Sequence, residues 1–352
     1  MKTVVIIGAG VMGSAMALPF SDRGFAVRVV GTHLDTDIVD SLKSRNFHPN
    51  LNINMPPNVQ GYFHHELAAV LAKDCDLILL GVSSLGVSWA IEQLLNCMIR
   101  PTPILIITKG MHAESNSLTT LPDLVFKSLA EKFDESLQVA AIAGPCIAGE
   151  LAVRRSTGTT IVARDKILAD QLCSDLETDY YHPRASTDMI GVEVCAAYKN
   201  FFAIAVGWAQ GNLEKISPAE NKAKNNNAAA IIFDQAVREL MHLTTALGGQ
   251  AESVWGMPGV GDLYVTCQAG RNSRLGNHLG RGLTYDQVRT GPMQGDTIEG
   301  ADLGRATGAC ITSMMAQGIL NEASMPLTKS LLTALMDQKP LDIQWHKFHR
   351  TF

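Results

Sequence analysis

The stretch MKTVVIIGAGVMGSAMALPFSDRGFAVRVV, residues 1–30, decides the fold of the amino-terminal half of this chain. Its apolar run Lys2–Ile7 predicts a buried strand, the small and apolar residues 14–21 predict a helix, and residues 26–30 predict a second strand. Two strands separated by a helix form a parallel βαβ unit, because parallel strands need a crossover connection.

Glycines occupy the three positions between the first strand and the helix where a bound dinucleotide needs small residues. Gly8 permits the tight turn, Gly10 lets the backbone approach a pyrophosphate, and Gly13 lets the helix pack against the strand. The helix start, with Val11 and Met12, then presents its amide groups to the phosphates. The glycine turn, residues 8–13, therefore predicts a dinucleotide-binding site.

Apolar runs that lack polar alternation continue through the first half of the chain, at residues 61–63, 76–82, 103–108, 138–143 and 159–163. Strands of this kind are buried on both faces, which is typical of a parallel sheet covered by helices. Helical periodicity replaces this pattern after about residue 187, with helices predicted at residues 191–208, 226–247, 302–315 and 327–336. We predict an α/β Rossmann-type domain with a mostly parallel sheet at 1–186 and an all-helical domain at 187–352.

Composition excludes several classes of function. The 352 residues carry a net charge of −5 and no basic stripe interleaved with aromatics, so we expect no nucleic-acid partner. The apolar runs look strand-sized, and we expect no stable membrane insertion. The 7 cysteines form no Cys-x-x-Cys pair, which favours a reduced, cytoplasmic setting. The 10 histidines show no metal-ligand spacing, and we expect no metal site.

Three polar segments interrupt otherwise apolar or glycine-rich sequence. Lys199 and Asn200 lie in an apolar helix, and burial there would lower the pKa of the lysine and make it a proton donor to a carbonyl being reduced. Residues 259–272 combine an acid, hydroxyls, an arginine and an amide, and Arg271 can bind a phosphate with two hydrogen bonds. Lys109 follows a strand, at the edge of the sheet where ligands bind.

These segments together resemble the NAD(P)-dependent glycerol-3-phosphate dehydrogenases, and the resemblance covers nearly the whole chain. The pieces that carry it are modest singly and specific as an ordered set. They are the glycine turn, residues 48–51 (HPNL), 56–59 (PPNV), 109–110 (KG), 144–150 (GPCIAGE), 199–200 (KN), 259–266 (GVGDLYVT), 271–272 (RN) and 298–300 (IEG).

The resemblance implies NAD or NADP as cofactor and hydride transfer between dihydroxyacetone phosphate and sn-glycerol 3-phosphate. It implies that Lys199 is the general acid and base, that Lys109 adds positive potential near the substrate, and that Asp262 holds the lysine or a substrate hydroxyl. The partner would be a small phosphorylated substrate, and the family suggests a homodimer.

The same resemblance implies two binding sets. The substrate set is Lys109, Gly144, Cys146, Lys199, Asn200, Asp262, Thr266, Arg271 and Asn272, with Thr266, Arg271 and Asn272 on the phosphate. The cofactor set is Gly8, Gly10, Val11, Met12, Gly13, Thr32, His33, Lys109, Ala148, Arg271 and Glu299.

Two departures from the family pattern bear on specificity. The second strand ends at Gly31-Thr32-His33, without the acid that accepts a ribose 2′-hydroxyl or the usual arginine for a 2′-phosphate, and Asp35 and Asp37 come slightly late. Thr32 and His33 can bind a phosphate, which gives a weak preference for NADP. Asp234-Gln235 stands where the family has Arg-Gly, which puts the exact substrate in question.

Three alternatives follow from the residues. A reductase of a different phosphorylated ketone or a 2-keto acid could use the same scaffold. A dehydrogenase with Cys146 or Cys267 as nucleophile is disfavoured, since a buried cysteine is more often a small hydrophobic residue. A nucleotide sensor without turnover would not need a proton donor such as Lys199.

Overall fold

The computed structural model describes residues 1–114, 117–213 and 223–348. It divides into two compact units. The first comprises Met1–Lys109 and Thr120–Met189, and the second comprises Gly110–Thr119 and Ile190–Phe352.

The strands, in chain order, are β1 (Thr3–Ile7), β2 (Ala26–Val30), β3 (Phe47–His48), β4 (Ile53–Asn54), β5 (Val59–Tyr62), β6 (Leu77–Leu80), β7 (Ile104–Ile106), β8 (Met111–Glu114), β9 (Ser117–Thr120), β10 (Val139–Ala143), β11 (Thr157–Ala163) and β12 (Tyr181–Ser186).

The α-helices are α1 (Val11–Asp22), α2 (Thr36–Arg45), α3 (Leu67–Leu71), α4 (Val87–Cys97), α5 (Leu121–Phe133), α6 (Ala148–Ala152), α7 (Lys166–Leu176), α8 (Met189–Asn212), α9 (Asn226–Ala246), α10 (Ala251–Trp255), α11 (Asp262–Gln268), α12 (Arg271–Gly280), α13 (Tyr285–Thr290), α14 (Glu299–Ala316) and α15 (Pro326–Met336).

The first unit contains an eight-stranded sheet in the order β12-β11-β10-β7-β6-β1-β2-β5. All neighbours pair in parallel except β10 and β11. Every residue of β1 and β6 is buried, as expected of strands covered on both faces. The predicted mostly parallel Rossmann-type sheet is therefore confirmed, and the glycine turn follows the carboxyl end of β1, an interior strand of the sheet.

Strand β12 and two strand pairs, β3 with β4 and β8 with β9, lie outside the sequence predictions. Strand β12 joins the edge of the sheet, and its exposed, polar residues give no apolar run. The hairpin of β8 and β9 belongs to the second unit, although the sequence interpretation placed residues 110–119 in the first domain. The reason is packing, because β8 contacts helix α14.

In the part of the second unit that the structure describes, the elements are helical apart from that hairpin. Its centre is α8, a helix of 24 residues that is long and apolar enough to cross a membrane. The expectation that apolar runs are only strand-sized was therefore wrong for α8. Yet 89% of its most apolar window is buried inside the protein, as in the core helix of a globular domain.

Glycines bring α8 and α12 into direct backbone contact. A Cβ added at Gly207 would lie 2.4 Å from the carbonyl oxygen of Ser273, and one at Gly276 would lie 1.9 Å from that of Ile204. Such separations are shorter than any real van der Waals contact, so larger residues would force the helices apart. This close packing fixes the first half of α12 against the carboxyl-terminal half of α8.

Candidate active site

The glycine turn in the first unit has the geometry of a dinucleotide-binding loop. Gly8 has a φ of +108°, and its N–H donates to the carbonyl of Val30 at 2.8 Å. A Cβ at Gly13 would lie 2.4 Å from the oxygen of Gly8, whereas a Cβ at Gly10 would meet nothing within 4 Å. Packing therefore requires Gly8 and Gly13 to be small, and open space remains in front of Gly10 for a ligand.

The amino terminus of α1 fits the pyrophosphate of such a ligand. Gly10 is the N-cap residue, and no side chain caps the helix there. The first hydrogen bond within the helix runs from the N–H of Ser14 to the oxygen of Gly10 at 3.0 Å, so the N–H groups of residues 11–13 lie ahead of the hydrogen-bond ladder. With the first turn also free of acidic residues, these amides can receive an anion.

The loop after β2 carries the residues expected to meet the far ribose. The N–H and Oγ1–H of Thr32 donate to Oδ2 of Asp35 at 2.7 and 2.9 Å. The Thr32 hydroxyl is therefore engaged by an acid that the sequence interpretation considered too late in the chain. His33 is exposed, and its ring centroid lies 6.1 Å from that of Trp89.

Four further candidates lie at the carboxyl ends of strands in the same unit. Nζ of Lys109 lies 3.4 Å from the oxygen of Gly144, which has a φ of +127°. Ala148 begins α6, a short helix that packs on α1, and Cys146 is half-buried against the core of this unit. Lys109 and Gly144 are therefore in contact. Ala148 lies on α6, which packs against α1, the helix that follows the glycine turn.

The second unit holds a buried polar cluster around Lys199, on α8. Nζ of Lys199 donates to Oδ1 of Asp262 at 2.6 Å and to Oγ1 of Thr266 at 2.7 Å. The hydroxyl of Thr266 in turn donates to the main-chain oxygen of Asp262 at 2.7 Å. The side chains of the ion pair are 7% and 3% exposed. We call these three residues the lysine cluster.

Backbone geometry places Asp262 in this cluster. It begins α11 directly after a π-helical turn, Met257–Gly261. A Cβ at Gly259 would lie 2.1 Å from the oxygen of Val254, so the turn packs against the end of α10 at a distance that only glycine allows. The acid and Thr266 are one helical turn apart on α11, so both reach the same ammonium group.

Cys267 lies next to the lysine cluster, and its thiol resists ionisation. Burial raises the pKa of the Cys267 thiol to about 12, against a smaller opposing effect of Lys199. The thiolate is the nucleophilic form of cysteine, and at neutral pH this thiol stays protonated. The alternative in which Cys267 is a catalytic nucleophile is therefore not supported.

Residues at the starts of α12 and α14 form a second polar group. Asn272 is 5% exposed, donates from Nδ2 to Oδ1 of Asn200 at 3.2 Å, and accepts at Oδ1 from the N–H of Gly300 at 2.9 Å. Arg271 forms a half-exposed ion pair with Glu299. The sequence named these five positions in three separate motifs, and the structure joins them through three contacts.

Asp234 and Gln235, which stand where the family has Arg-Gly, form hydrogen bonds within the second unit. Asp234 lies on the exposed face of α9 and pairs with Arg238 at 2.8 Å. Gln235 is buried and donates to Glu239 at 2.9 Å. The Glu239 carboxylate also accepts the N–H groups of Leu327 and Thr328, at 2.6 and 2.7 Å, at the start of α15. These hydrogen bonds join α9 to the start of α15 within the second unit.

Within residues 1–114, 117–213 and 223–348, no group of three or more His, Cys, Asp or Glu side chains could hold a metal ion. The 7 cysteines all lie in these ranges, and no disulfide joins them.

Family models match both halves of the chain. Residues 3–169 match the amino-terminal part, and residues 188–344 the carboxyl-terminal part, of NAD-dependent glycerol-3-phosphate dehydrogenase. The two matches together span most of the chain.

Individual relatives agree with these matches. The chain is 34% identical over 285 residues to an NADP(+)-dependent glycerol-3-phosphate dehydrogenase of Archaeoglobus fulgidus, covering 81% of this chain and 82% of the relative. It is 27% identical to a glycerol-3-phosphate dehydrogenase [NAD(P)+] of Shouchella clausii, covering 96% and 92%. A crystal structure of glycerol-3-phosphate dehydrogenase from Coxiella burnetii superposes with a TM-score of 0.76 at 25% identity, covering 96% of each chain.

Proposed function

The chain belongs to the NAD-dependent glycerol-3-phosphate dehydrogenase family, and from this premise we propose which of its residues carry out the reaction. The enzyme interconverts dihydroxyacetone phosphate and sn-glycerol 3-phosphate with NAD or NADP, and the alternative of a different keto substrate is not favoured. The observation that carries the assignment of residues is the lysine cluster, a buried ammonium group held by Asp262 and Thr266.

Lys199 is the general acid and base. When bound, the reduced cofactor supplies the hydride that attacks the carbonyl carbon of the ketone. The carbonyl oxygen then gains negative charge, and Nζ of Lys199 donates a proton to it. In the direction of oxidation, the neutral amine accepts the proton of the C2 hydroxyl. Asp262 and Thr266 fix the position of Nζ, so the lysine does not need to be ordered during the reaction.

Arg271 and Asn272 hold the substrate phosphate at the start of α12. The phosphate would replace Glu299 as the partner of the Arg271 guanidinium, which can form two parallel hydrogen bonds to it. The turn before the helix supports this role, since Gly270 has a φ of +116° and a Cβ there would meet nothing within 4 Å. Asn272 orders this turn through Gly300, and Asn200 contacts the substrate.

The remaining candidates have supporting roles. Lys109 adds positive potential near the substrate, Gly144 and Cys146 line its pocket, and Ala148 and Glu299 contact the cofactor. In the first unit, Lys109 already points at the backbone of Gly144, which supports a shared place at the edge of the sheet.

We propose NADP as the preferred cofactor. Asp35 is the acid nearest to the end of β2, and its Oδ2 accepts from the N–H and hydroxyl of Thr32, so one of its two oxygens is already used by the loop itself. The exposed ring of His33 can face a 2′-phosphate. The name of the relative from Archaeoglobus fulgidus, which specifies NADP, supports this choice.

Location and assembly are further parts of the proposal. A cytoplasmic location is supported by the 7 cysteines without a disulfide, which suit a reducing compartment. A homodimer is what the family suggests. The absence of stable membrane insertion is supported by the burial of the long apolar helix α8 inside the protein.

The test follows the absorbance of NADH and NADPH in parallel with dihydroxyacetone phosphate, and with unphosphorylated dihydroxyacetone as the matched control. We expect oxidation with the phosphorylated ketone, with the higher kcat/KM for NADPH. Activity with dihydroxyacetone should be lower by orders of magnitude, because Arg271 then has no phosphate to bind. Equal activity with the two ketones would contradict the phosphate site, and a preference for NADH would contradict the choice of cofactor.

A further inference from the structure

Both sides of one residue in the glycine turn are held by side chains that the reaction does not use. Ala9, which is fully buried, donates its N–H to Oδ2 of Asp35 at 3.2 Å. Its carbonyl oxygen accepts from Oγ of Ser14 at 3.1 Å and lies 3.0 Å from Nε2 of His48. The backbone on either side of Ala9, directly before Gly10, is therefore anchored by three side chains of the first unit.

The hydrogen bonds of His48 define its tautomer. The N–H of Leu51 donates to Nδ1 at 3.1 Å, so Nδ1 carries no proton. The proton of the neutral ring is therefore on Nε2, and Nε2–H donates to the oxygen of Ala9. The ring is fully buried, and both of its nitrogens are used.

Fixing the oxygen of Ala9 also aims the next amide. In a planar trans peptide, the N–H points away from the C=O. Because His48 and Ser14 hold the Ala9 oxygen, the N–H of Gly10 points to the opposite side of the peptide plane, and a Cβ at Gly10 would meet nothing within 4 Å. This is the side from which a pyrophosphate approaches.

We propose that His48 is a positioning residue for the cofactor: its Nε2–H bond to Ala9 holds the glycine turn in the conformation that binds the pyrophosphate. The inference rests on the proposed function, since it requires a dinucleotide at this turn. It assigns a role in cofactor binding to a residue that lies outside the glycine turn in sequence and takes no part in hydride or proton transfer. His48 acts through the backbone and touches neither substrate nor nicotinamide in this account.

Protonation of His48 should weaken this hold indirectly: Nε2–H can still donate to Ala9, but the bond from the Leu51 N–H that orients the ring is lost. A proton on Nδ1 would face the Leu51 N–H, and two donors cannot bond to each other. Burial lowers the pKa of His48, more than the hydrogen bond to Ala9, the backbone of His48 itself and the nearby Asp35 carboxylate raise it. From α1, the uncharged Ser14 shares the Ala9 oxygen with His48. The charged residues on α2, the helix packed against β3, lie on its exposed side: Asp37, Asp40, Lys43 and Arg45.

The experiment measures the dissociation constant of NADH by the quenching of protein fluorescence in wild type and three variants. His48→Ala removes both hydrogen bonds, and loss of the buried bond should weaken NADH binding about tenfold. His48→Gln keeps a side-chain donor that can reach Ala9 and should recover most of the affinity. His182→Gln, at an exposed histidine on β12, is the matched control and should bind as wild type does.

Two readouts separate positioning from a general structural role. In His48→Ala the loss should appear mainly as a raised KM for NADH, with a much smaller change in kcat at saturating cofactor, since the bond to Ala9 acts on cofactor binding. NADH carries no 2′-phosphate to titrate. The affinity of wild type for NADH should fall as the pH drops below the range in which a histidine ordinarily titrates. The affinity of His48→Gln for NADH should not show this fall.

The outcomes are distinct. Failure of the wild type to bind either NADH or NADPH would contradict the proposed function. Binding by wild type with unchanged affinity in His48→Ala would overturn the role of His48. If His48→Ala does not fold, the pH dependence of wild type against His48→Gln decides, and identical pH profiles would overturn the inference.

Discussion

Nζ of Lys199 lies 2.6 Å from Oδ1 of Asp262, and both side chains are almost completely withdrawn from solvent. A buried ion pair is a weak source of stability, because removing both charges from water costs about as much as their attraction returns. Its value here lies in geometry. The ammonium group is held by a carboxylate and by the hydroxyl of Thr266, in the position from which it can transfer a proton.

Thr266 tests whether this hydroxyl serves the lysine or the substrate phosphate. The sequence placed it on the phosphate, whereas the structure shows it bound to Nζ of Lys199. We expect Thr266→Val to lower kcat about tenfold, as for one lost hydrogen bond, and to leave the KM of dihydroxyacetone phosphate nearly unchanged. Steady-state kinetics at saturating cofactor gives both constants. A large rise in KM with normal kcat would return Thr266 to the phosphate site.

Arg271 tests the phosphate site. Removing a guanidinium that binds a phosphate through charge-assisted hydrogen bonds should raise the KM of dihydroxyacetone phosphate about 100-fold in Arg271→Ala. The matched control is Arg274→Ala on the same helix, where a comparably exposed arginine lies 3.5 Å from Asp296. We expect its KM to stay within about twofold of wild type. Equal effects of the two substitutions would mean that the charge of α12 matters and that Arg271 has no specific role.

Cys267 tests the rival mechanism with a nucleophilic thiol. Since burial raises the pKa of this thiol to about 12, it carries no useful thiolate at neutral pH. We expect Cys267→Ala to keep kcat within about twofold of wild type at pH 7. A loss of several orders of magnitude in a variant that folds and binds cofactor normally would revive the covalent mechanism.

Glu239 predicts a pH dependence of stability in the second unit. Burial raises its pKa to about 7 from 4.5, more than its hydrogen bonds to Thr328, Gln235 and Leu327 lower it. The folded state therefore favours the protonated form. The preference for the protonated form stabilises the folded state by about 3 kcal/mol. This contribution is fully present below the ordinary glutamate pKa and is lost as the pH rises through about 7.

The comparison of wild type with Glu239→Gln isolates this effect. The amide of the variant cannot ionise, so only wild type loses this contribution as the pH rises. The free energy of unfolding of Glu239→Gln, relative to that of wild type, should therefore increase by about 3 kcal/mol between pH 4.5 and pH 8. Denaturant unfolding at several pH values measures this difference. Glu252→Gln, at an exposed glutamate, serves as the control. Parallel profiles for wild type and Glu239→Gln would contradict the elevated pKa.

The interior of the sheet could be predicted from the sequence because its strands are buried on both faces. Strands such as β1 and β6 then read as unbroken apolar runs with sharp ends. Strand β12 and the hairpin of β8 and β9 lack this signal, since their exposed positions carry polar residues. The short helices of residues 251–290 span at most three turns each, too few for periodicity to identify them.

The candidate site was predictable as a set of residues and not as a set of contacts. The resemblance to a family named Lys199, Asp262, Arg271 and Glu299, and the family itself is confirmed. The pairing of Lys199 with Asp262 across 63 positions depends on tertiary packing. His48 was visible only as part of a motif, because its hydrogen bonds to Ala9 and Leu51 have no signature in sequence. The individual roles of the site residues stay predictions.

The most direct test of the account is the kinetics of Lys199→Ala with dihydroxyacetone phosphate, together with its affinity for cofactor. Loss of the general acid should lower kcat by about 10² to 10⁴, while the dissociation constant of NADPH stays near that of wild type. Lys166→Ala, at an exposed lysine on α7, should behave as wild type in both assays. If Lys199→Ala turns over within a few-fold of wild type, Lys199 is not the proton donor and the central claim is contradicted.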